Sequence, residues 1–396
     1  MKKNILFIIP SLDAGGAEKS LINLLSVFDY SKYNVDLVLF NKTGLFLNML
    51  PKEVSIIEIK GDYTDFVLPL KESILQFIKQ FKFRLVFNRL LFTFKNKFIK
   101  NKALAEQYSW KNMSTVIPKS DKKYDTAIAF LEKSSIYFLV DKIEANKKIG
   151  FIHNDYNKLD LNKEFDNFYF TKLNYLVTVS EECLSVLKFI FPKLKQKIKT
   201  IHNIVSTELI SQLAESDAAN EMIIGKYNIL SIGRLHPQKG FDMAVDACGI
   251  IKRKGYNLNW YIIGEGNERE NLEIKIKEKE LVENFYLLGL KENPYPFIKK
   301  ADVFVQSSKY EGKSIVIDEA KILNKPIVTT NYSTVKDQIQ HNINGLVVEI
   351  NAESLANGII KMIMDKDLRE SLVFNLNKEN LGTEHEINNL YNLIEY

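Results

Sequence analysis

Residues 307–330, SSKYEGKSIVIDEAKILNKPIVTT, contain the end of a strand, a loop, a helix and a second strand. The apolar run Val303–Val305 leads into this stretch, and Ser314 is the expected N-cap of a helix over Ile315–Leu323. The following run, Ile327–Val328, has the composition of a buried parallel strand. The stretch therefore predicts one unit of an α/β fold.

Two acids frame this turn: Glu311, next to Gly312 in the loop, and Glu319 on the helix. Backbone N–H groups at a helix start favour anions, and ligands of open α/β sheets bind beyond the carboxyl ends of the strands. Eight helical residues span about 12 Å, so the acids cannot hold one atom but can hold two parts of a long ligand. A nucleotide-sugar has this shape; a surface helix with two ordinary acids is the alternative.

Length and composition indicate a globular protein of two or three domains, with 396 residues of which 46% are hydrophobic and 26% charged. No apolar run reaches the roughly 18 residues of a membrane span. The run Ile5–Ile9 behind two lysines is shorter than the roughly 7–15 residues of a signal-peptide core, so a first strand is expected there. Cys183 and Cys248 lack metal or disulfide spacing and are expected to be buried thiols of a cytosolic protein.

Apolar strands alternate with amphipathic helices, which predicts βαβ units and parallel sheets. A polar stretch between Ile204 and Gly225 is the expected linker. We therefore predict two Rossmann-like domains facing a central cleft, over residues 1–205 and 206–383, with a last helix over 384–396 packing back on the first. The predicted strands are Ile5–Ile9, Val35–Phe40, Ser55–Ile59, Thr126–Phe130, Ile149–Ile152, Leu176–Val179 and Thr200–Ile201, then Ile229–Ile232, Trp260–Ile263, Phe285–Leu288, Val303–Val305, Ile327–Val328 and Leu346–Val348.

The segment Lys71–Lys111 departs from this alternation, with ten Lys or Arg, two Glu and seven Phe. This composition is typical of a basic amphipathic helix on a membrane surface. A long helix with its Phe face in the core is the alternative, and nucleic-acid binding lacks an accompanying module motif. The candidate membrane or acceptor residues are Lys79, Lys82, Arg84, Arg89 and Lys95.

Two glycine-containing turns and one basic loop follow predicted strands. Gly15–Gly16 precede a helix but do not form a G-x-G-x-x-G motif. Arg234 and Lys239, five apart, could clamp a diphosphate, or could belong to a solvated basic loop. Arg269 occupies the third glycine position of a dinucleotide motif, which argues against NAD binding.

Single polar residues follow two further strands of the first domain. His153 lies just past a strand end, and His202-Asn203 lie past another, although most lone histidines are structural. No cluster has metal-ligand spacing, and no G-x-S-x-G or Walker A motif occurs.

With these residues laid out, the chain resembles the retaining glycosyltransferases of family 4, which have the GT-B fold. Three motifs occur in the family's order: Gly15-Gly16 with Glu18, S-x-G-R-L-x-x-x-K-G over Ser231–Gly240, and E-x7-E over Glu311–Glu319. The resemblance covers nearly the whole length and is strongest over Tyr227–Thr330.

The resemblance implies a role for each matching residue. One departure is that Lys313 and Ser314 stand where the family often has an aromatic or aliphatic residue followed by Gly or Pro. By this resemblance, Arg234 and Lys239 would bind the donor diphosphate, Glu319 the ribose hydroxyls and Glu311 the donor sugar. The backbone amides of Lys313, Ser314 and Ile315 would bind sugar or phosphate oxygens, and Gly16 would approach the β-phosphate. His153 would contact the transferred sugar, and Asn203 matches the family's asparagine before the linker.

The implied function is retaining transfer of a hexose or N-acetylhexosamine from a nucleotide-sugar, expected to be UDP-linked, without cofactor, bound metal or protein nucleophile. The expected acceptor is lipid-linked or a polysaccharide, at the inner face of the cell membrane, and no nucleic-acid partner is expected. A nucleotide-sugar epimerase of the same fold and a non-catalytic partner of a glycosyltransferase are the alternatives.

Overall fold

The computed structural model describes residues 2–13, 15–216, 219–223, 226–311 and 313–395, so Gly312 and Gly225 of the sequence analysis lie outside the described residues. The chain divides into two compact units. We call Met1–Ile204 with Thr383–Tyr396 the N-terminal unit, and Val205–Gly382 the C-terminal unit.

The N-terminal unit contains a parallel sheet of seven strands in the order β3-β2-β1-β4-β5-β6-β7. The strand order reverses between β1 and β4, which creates a topological switch point. Its elements are β1 Lys3–Ile9, α1 Gly16–Ser26, β2 Tyr33–Leu39, β3 Val54–Ile57, α2 Tyr63–Val67, α3 Leu70–Lys79, α4 Phe83–Phe98, α5 Lys102–Met113, β4 Lys123–Ala129, α6 Ser134–Lys142, β5 Glu144–Ile152, α7 Lys163–Phe170, β6 Tyr175–Thr178, α8 Glu181–Ile190 and β7 Ile198–Thr200.

The C-terminal unit contains a parallel sheet of six strands in the order β10-β9-β8-β11-β12-β13, with its switch point between β8 and β11. Its elements are α9 Thr207–Leu213, β8 Tyr227–Ile232, α10 Phe241–Arg253, β9 Leu258–Ile263, α11 Arg269–Glu278, β10 Phe285–Leu287, α12 Tyr295–Lys300, β11 Val303–Gln306, α13 Ile315–Ile322, β12 Ile327–Thr330, β13 Leu346–Val348, α14 Ala352–Met364 and α15 Lys366–Leu376.

Both sheets are buried on their two faces by helices, which is why their strands are continuous apolar runs. In β9, all six residues are buried. The α/β fold with two parallel-sheet, Rossmann-like domains is confirmed, and each of the thirteen predicted strands is present with bounds shifted by a few residues.

A final helix, α16 Ile387–Glu395, belongs to the N-terminal unit although it ends the described chain. Leu390 and Ile394 are buried in the core beside β1 and α1. Tyr391 stacks on Tyr33 with ring centroids 5.3 Å apart, and its hydroxyl accepts a hydrogen bond from the backbone N–H of Asp29.

Three local expectations were wrong. The stretch predicted as a linker contains α9, which Ser206 caps by accepting a bond from the N–H of Leu209, and which buries Ile210 in the C-terminal core. Apolar residues at helical spacing outweigh the polar composition there. The basic segment forms three helices, α3, α4 and α5, rather than one. Of the cysteines, only Cys248 is buried.

Candidate functional site

In the C-terminal unit, the candidate donor residues lie at the switch point of the sheet. Arg234 and Lys239 follow β8, and Glu311 follows β11, the strand paired with β8. The Nζ atom of Lys239 lies 2.6 Å from Oε1 of Glu311, and the two side chains are 19% and 9% exposed. Sequence-predicted residues from two loops are thus joined in one partly buried ion pair.

The Glu311 carboxylate is held by neutral donors as well. Its Oε1 accepts bonds from Gln306 Nε2 at 2.9 Å and from Ser308 Oγ at 2.5 Å. Among the described residues, its Oε2 has only a long contact with Gln238 Nε2, at 3.4 Å. The carboxylate is therefore fixed through Oε1, while Oε2 keeps accepting capacity.

Two glycines of the basic motif permit this close packing. A Cβ on Gly233 would lie 3.1 Å from Cε of Lys239, so the lysine stem runs directly over this glycine. Gly240 has a φ of +64°, and a Cβ there would lie 2.2 Å from the carbonyl oxygen of Ser307. The spacing of the motif thus serves the approach of the β8 and β11 loops.

Arg234 and Glu319 differ sharply in exposure. Arg234 is exposed on the loop after β8. Glu319 is fully buried on α13, and Tyr295 Oη donates a hydrogen bond to its Oε1 at 3.2 Å. Burial, together with the Glu319 charge, raises the pKa of Tyr295 well above its ordinary value. The assignment of Glu319 to ribose hydroxyls remains a prediction.

At the start of α13, the side chain of Gln338 binds the backbone of the N-cap residue Ser314. This side chain accepts from the N–H of Ser314 and donates to the carbonyl of Ser314, both at 2.9 Å. The Ser314 hydroxyl is buried and finds no hydrogen-bond partner among the described residues, so it does not cap the helix. Lys313 is exposed, 3.7 Å from the Asp318 carboxylate, and Ile315 is partly buried.

In the N-terminal unit, His153 follows β5 with its ring packed between aromatic side chains, 4.9 Å from Phe130 and 5.9 Å from Phe151 by centroid. Burial lowers the pKa of His153 to about 4, partly offset by a hydrogen bond to the backbone of Phe130. Nε2 is buried and has no hydrogen-bond partner in the described parts of the chain. The ring is therefore neutral near pH 7, with one nitrogen available.

A buried carboxylate that sequence reasoning missed holds this loop. Glu132, just past β4, accepts from the backbone N–H of His153 at 3.1 Å and from Asn154 Nδ2 at 2.6 Å. No motif marks Glu132; its only signal is an acid three residues past the end of an apolar strand. Gln338 carries no local signal at all, since it acts 24 positions from Ser314.

The two other predicted residues of this unit are held by internal contacts. Gly16 is the first residue of α1. Asn203 accepts from the Ser20 hydroxyl through Oδ1 at 2.9 Å and from the Thr383 hydroxyl through its carbonyl at 2.8 Å. Asn203 therefore ties α1 to the returning C-terminal segment.

Of the five predicted surface cations, two face inward. Arg89 is buried, with its guanidinium bonded to the Leu68 carbonyl, and burial lowers its pKa. Lys95 Nζ donates to Tyr108 O and Asn112 Oδ1, both at 2.8 Å, and burial lowers its pKa too. Both are therefore removed from the candidate contact surface.

The remaining three are on the surface of the unit. Lys82 forms an ion pair with Asp62. Lys79 and Arg84 are exposed and form no ion pair within the described residues. Within the described part of the chain, no group of three or more His, Cys, Asp or Glu could hold a metal ion, and no helix is long and apolar enough to cross a membrane.

Comparison with known proteins places this geometry in context. Residues 215–378 match the family model described as Glycosyl transferases group 1. The chain is 27% identical over 384 residues, 94% of its length and 93% of the relative's, to the N-acetylgalactosamine-N,N'-diacetylbacillosaminyl-diphospho-undecaprenol 4-alpha-N-acetylgalactosaminyltransferase of Campylobacter jejuni.

Two further similarities also span nearly the whole chain. A second Campylobacter jejuni protein, GalNAc-alpha-(1->4)-GalNAc-alpha-(1->3)-diNAcBac-PP-undecaprenol alpha-1,4-N-acetyl-D-galactosaminyltransferase, is 26% identical over 379 residues, 94% of this chain and 92% of the relative. The crystal structure of HepE from Anabaena in complex with UDP matches with a TM-score of 0.65 at 15% identity, covering 99% of both chains.

Proposed function

We propose that this chain, which has the GT-B fold and matches the model of the group 1 glycosyl transferases over residues 215–378, is a retaining glycosyltransferase that uses a UDP-sugar and a lipid-linked or glycan acceptor. The observation that carries the donor assignment is the Lys239–Glu311 pair beside Arg234 at the switch point of the C-terminal sheet. Ligands of open α/β sheets bind at such points.

The cations of this edge suit the leaving diphosphate. Lys239 has three N–H donors and gives one to Glu311, so two remain for phosphate oxygens. Arg234 is exposed and can add a bidentate contact. These groups would stabilise the negative charge that develops on the leaving UDP, and the proposed reaction does not require a metal ion.

The proposed reaction gives the Glu311 carboxylate a positioning role. Glu311 is fixed through Oε1 by Lys239 and two neutral donors, an arrangement that supports a positioning role toward the sugar rather than nucleophilic attack. In the proposed reaction, the acceptor hydroxyl attacks the anomeric carbon on the face that UDP leaves. Its proton passes to the departing phosphate oxygen, and the new glycosidic bond keeps the original configuration.

His153 would contact the transferred sugar as a neutral group. Its ring N–H donates a hydrogen bond to the Phe130 backbone, so the buried Nε2 is a hydrogen-bond acceptor. An acceptor of this kind suits a sugar hydroxyl and would orient the sugar without adding positive charge.

For the acceptor, the undecaprenol-linked substrates named for the two Campylobacter relatives support a polyprenyl-diphosphate-linked glycan at the inner membrane face. The same names make UDP-N-acetylgalactosamine the first donor to test. A nucleotide-sugar epimerase would convert the donor with no acceptor present.

The test is a screen of UDP-GalNAc, UDP-GlcNAc, UDP-Gal, UDP-Glc and GDP-mannose for thermal stabilisation and for slow release of the nucleoside diphosphate, with and without a chelator. We expect one UDP-sugar to stabilise the protein, and the anomeric proton coupling of the product to match that of the donor. Donor epimerisation, an inverted product or inert UDP would contradict the proposal.

A matched pair of arginine variants tests the site itself. Arg234→Ala should lower transfer by about tenfold or more, whereas Arg253→Ala, an exposed arginine at the end of α10, should leave it unchanged. Equal rates in both variants would contradict the diphosphate assignment.

A further inference from the structure

Helix α4 has two apolar faces, of which only one packs inside the N-terminal unit. On the inner face, Phe92 contacts Phe66 at 5.2 Å between ring centroids, and the guanidinium of Arg89 lies 5.4 and 5.5 Å from these two rings. Leu85 and Val86 pack against the same core. The inner face therefore accounts for the anchoring of the helix.

The outer face carries a stripe that we call the Phe stripe: Phe83, Phe87, Leu90, Phe94 and Phe98. Its phenylalanines are between 59% and 62% exposed. At 100° per residue the five positions fall within an arc of about 80°, opposite Phe92. Together with Phe81 they expose on the order of 600 Å² of apolar surface, the size at which a patch on a soluble protein indicates an interaction site.

Phe81, in the turn before α4, adds an independent observation. It has a φ of +56° and is 81% exposed. It occupies the position after the C-cap of α3 where glycine is favoured, with Lys82 N–H bonded to the Phe77 carbonyl and its own N–H bonded to Ile78. A bulky ring in a left-handed conformation, with so little packing, indicates a function outside the unit.

Charge identifies the occupant of this face. Arg84 and Lys97 lie on either side of the Phe stripe on the helix circumference, both exposed, and α4 contains no acid. A second copy of this chain in a symmetric contact would bring the same cations together. An anionic lipid surface instead offers an apolar layer beneath negative headgroups.

We propose that Phe81 and the Phe stripe insert into the surface of an anionic lipid bilayer, with α4 lying parallel to the membrane. This deepens the proposed function, because it gives the membrane face of that proposal a defined contact surface. Phe77, Phe92, Arg89 and Lys95, which share the basic segment, take no part in it.

The test is flotation of the full chain with vesicles of phosphatidylcholine alone and of phosphatidylcholine mixed equally with phosphatidylglycerol. We expect binding to the mixed vesicles that weakens from about 0.1 M to about 1 M salt. The double variant Phe87→Ser/Phe94→Ser should reduce it by about tenfold or more. The matched control is Phe189→Ser/Phe374→Ser, which removes two rings elsewhere that are exposed by at least as large a fraction as Phe94, and this variant should bind like the wild type.

Phe81→Gly separates the proposal from a folding defect. Glycine suits the left-handed turn, so this variant should unfold no more easily than the wild type, yet bind mixed vesicles several-fold more weakly. Arg84→Glu/Lys97→Glu should remove the preference for phosphatidylglycerol, while Lys277→Glu/Lys336→Glu, both exposed in the C-terminal unit, should not.

Three results would overturn the proposal: wild-type binding by the Phe87→Ser/Phe94→Ser variant, equal loss in its control, or concentration-dependent dimerisation through the Phe stripe without vesicle binding. The proposed enzyme function is tested separately by release of UDP from the soluble donor. The Phe variants should retain that release, so vesicle binding and donor use can fail independently.

Discussion

The two sheets have similar loop contacts at their carboxyl edges, with one difference. In each, a carboxylate just past a strand fixes a loop, Glu311 after β11 and Glu132 after β4, and a nearby buried polar atom has no partner within the described residues. Those atoms are the hydroxyl of Ser314 and Nε2 of His153. Glu311 is paired with a lysine, whereas no described cation pairs with Glu132.

This difference distinguishes the polar groups that hold the loops in place from those that could bind a ligand. When a carboxylate accepts hydrogen bonds from backbone or amide donors, these bonds fix the conformation of the loop. Glu311 is paired with Lys239 as well, so the charge of this edge depends on that ion pair. This is compatible with the proposed diphosphate at the C-terminal unit and the proposed neutral sugar at the N-terminal one. The effects of changing Lys239, Glu132, His153 and Ser314 should therefore decrease in that order.

The largest effect is expected for Lys239→Ala. Loss of the lysine leaves the Glu311 carboxylate, only 9% exposed, without its counter-charge, which should cost about 3 kcal/mol of unfolding free energy and lower transfer by about tenfold or more. Urea unfolding followed by Trp260 fluorescence in a Trp110→Phe background reports on this unit alone, because each unit contains one of the two buried tryptophans.

The control is the double variant Lys239→Ala/Glu311→Gln, which should recover part of the lost stability but none of the activity. If the single variant unfolds like the wild type, the pair does not set the charge of this edge.

Glu132→Gln should come next, at about 2 kcal/mol. A glutamine turns one oxygen into an N–H₂ group that faces the N–H of His153 or the amide of Asn154, so one buried donor loses its acceptor. Trp110 fluorescence in a Trp260→Phe background measures it. Glu144→Gln, an exposed acid on β5, is the control and should change little; equal effects would contradict a special role for Glu132.

The third prediction concerns pH. His153 has a pKa of about 4 when folded and about 6.5 when unfolded, so between these values the unfolded chain binds the extra proton and the folded state loses stability as pH falls. From pH 7 to pH 5.5 the wild type should lose about 1 kcal/mol relative to His153→Asn. Parallel stability curves for the two proteins would show that His153 is not buried as a neutral ring.

The smallest change in stability is expected for Ser314→Ala, below about 0.5 kcal/mol, because its buried hydroxyl forms no hydrogen bond among the described residues. Ser206→Ala, which removes a working N-cap in the same unit, should cost about 1 kcal/mol. If Ser314 contacts the donor, its variant should nevertheless raise the KM for the nucleotide-sugar. An unchanged KM would remove it from the site.

The strands of both sheets could be predicted from the sequence, because parallel strands that are covered on both faces are apolar runs, as in β9. Sequence reasoning also placed Lys239 and Glu311 at strand ends, where sheet order brings them together. It could not assign partners to polar side chains distant in the chain, such as Gln338 for Ser314 or Glu132 for the His153 loop. Nor could composition distinguish the inward Arg89 from the outward Arg84, since that depends on which face of α4 meets the core.

The return of α16 to the N-terminal unit has a consequence for synthesis. Residues 205–382 are a continuous segment, so the C-terminal unit can fold as soon as it leaves the ribosome. The strands of the N-terminal unit are made earlier, but this unit lacks Ile387, Leu390 and Ile394 of its core until these residues have been made. At about 5–20 residues per second, that delay is on the order of 10–40 seconds, during which Phe28 and Tyr33 lack their cover by Tyr391. Of the two units, the one whose synthesis starts first is therefore the second to be completed.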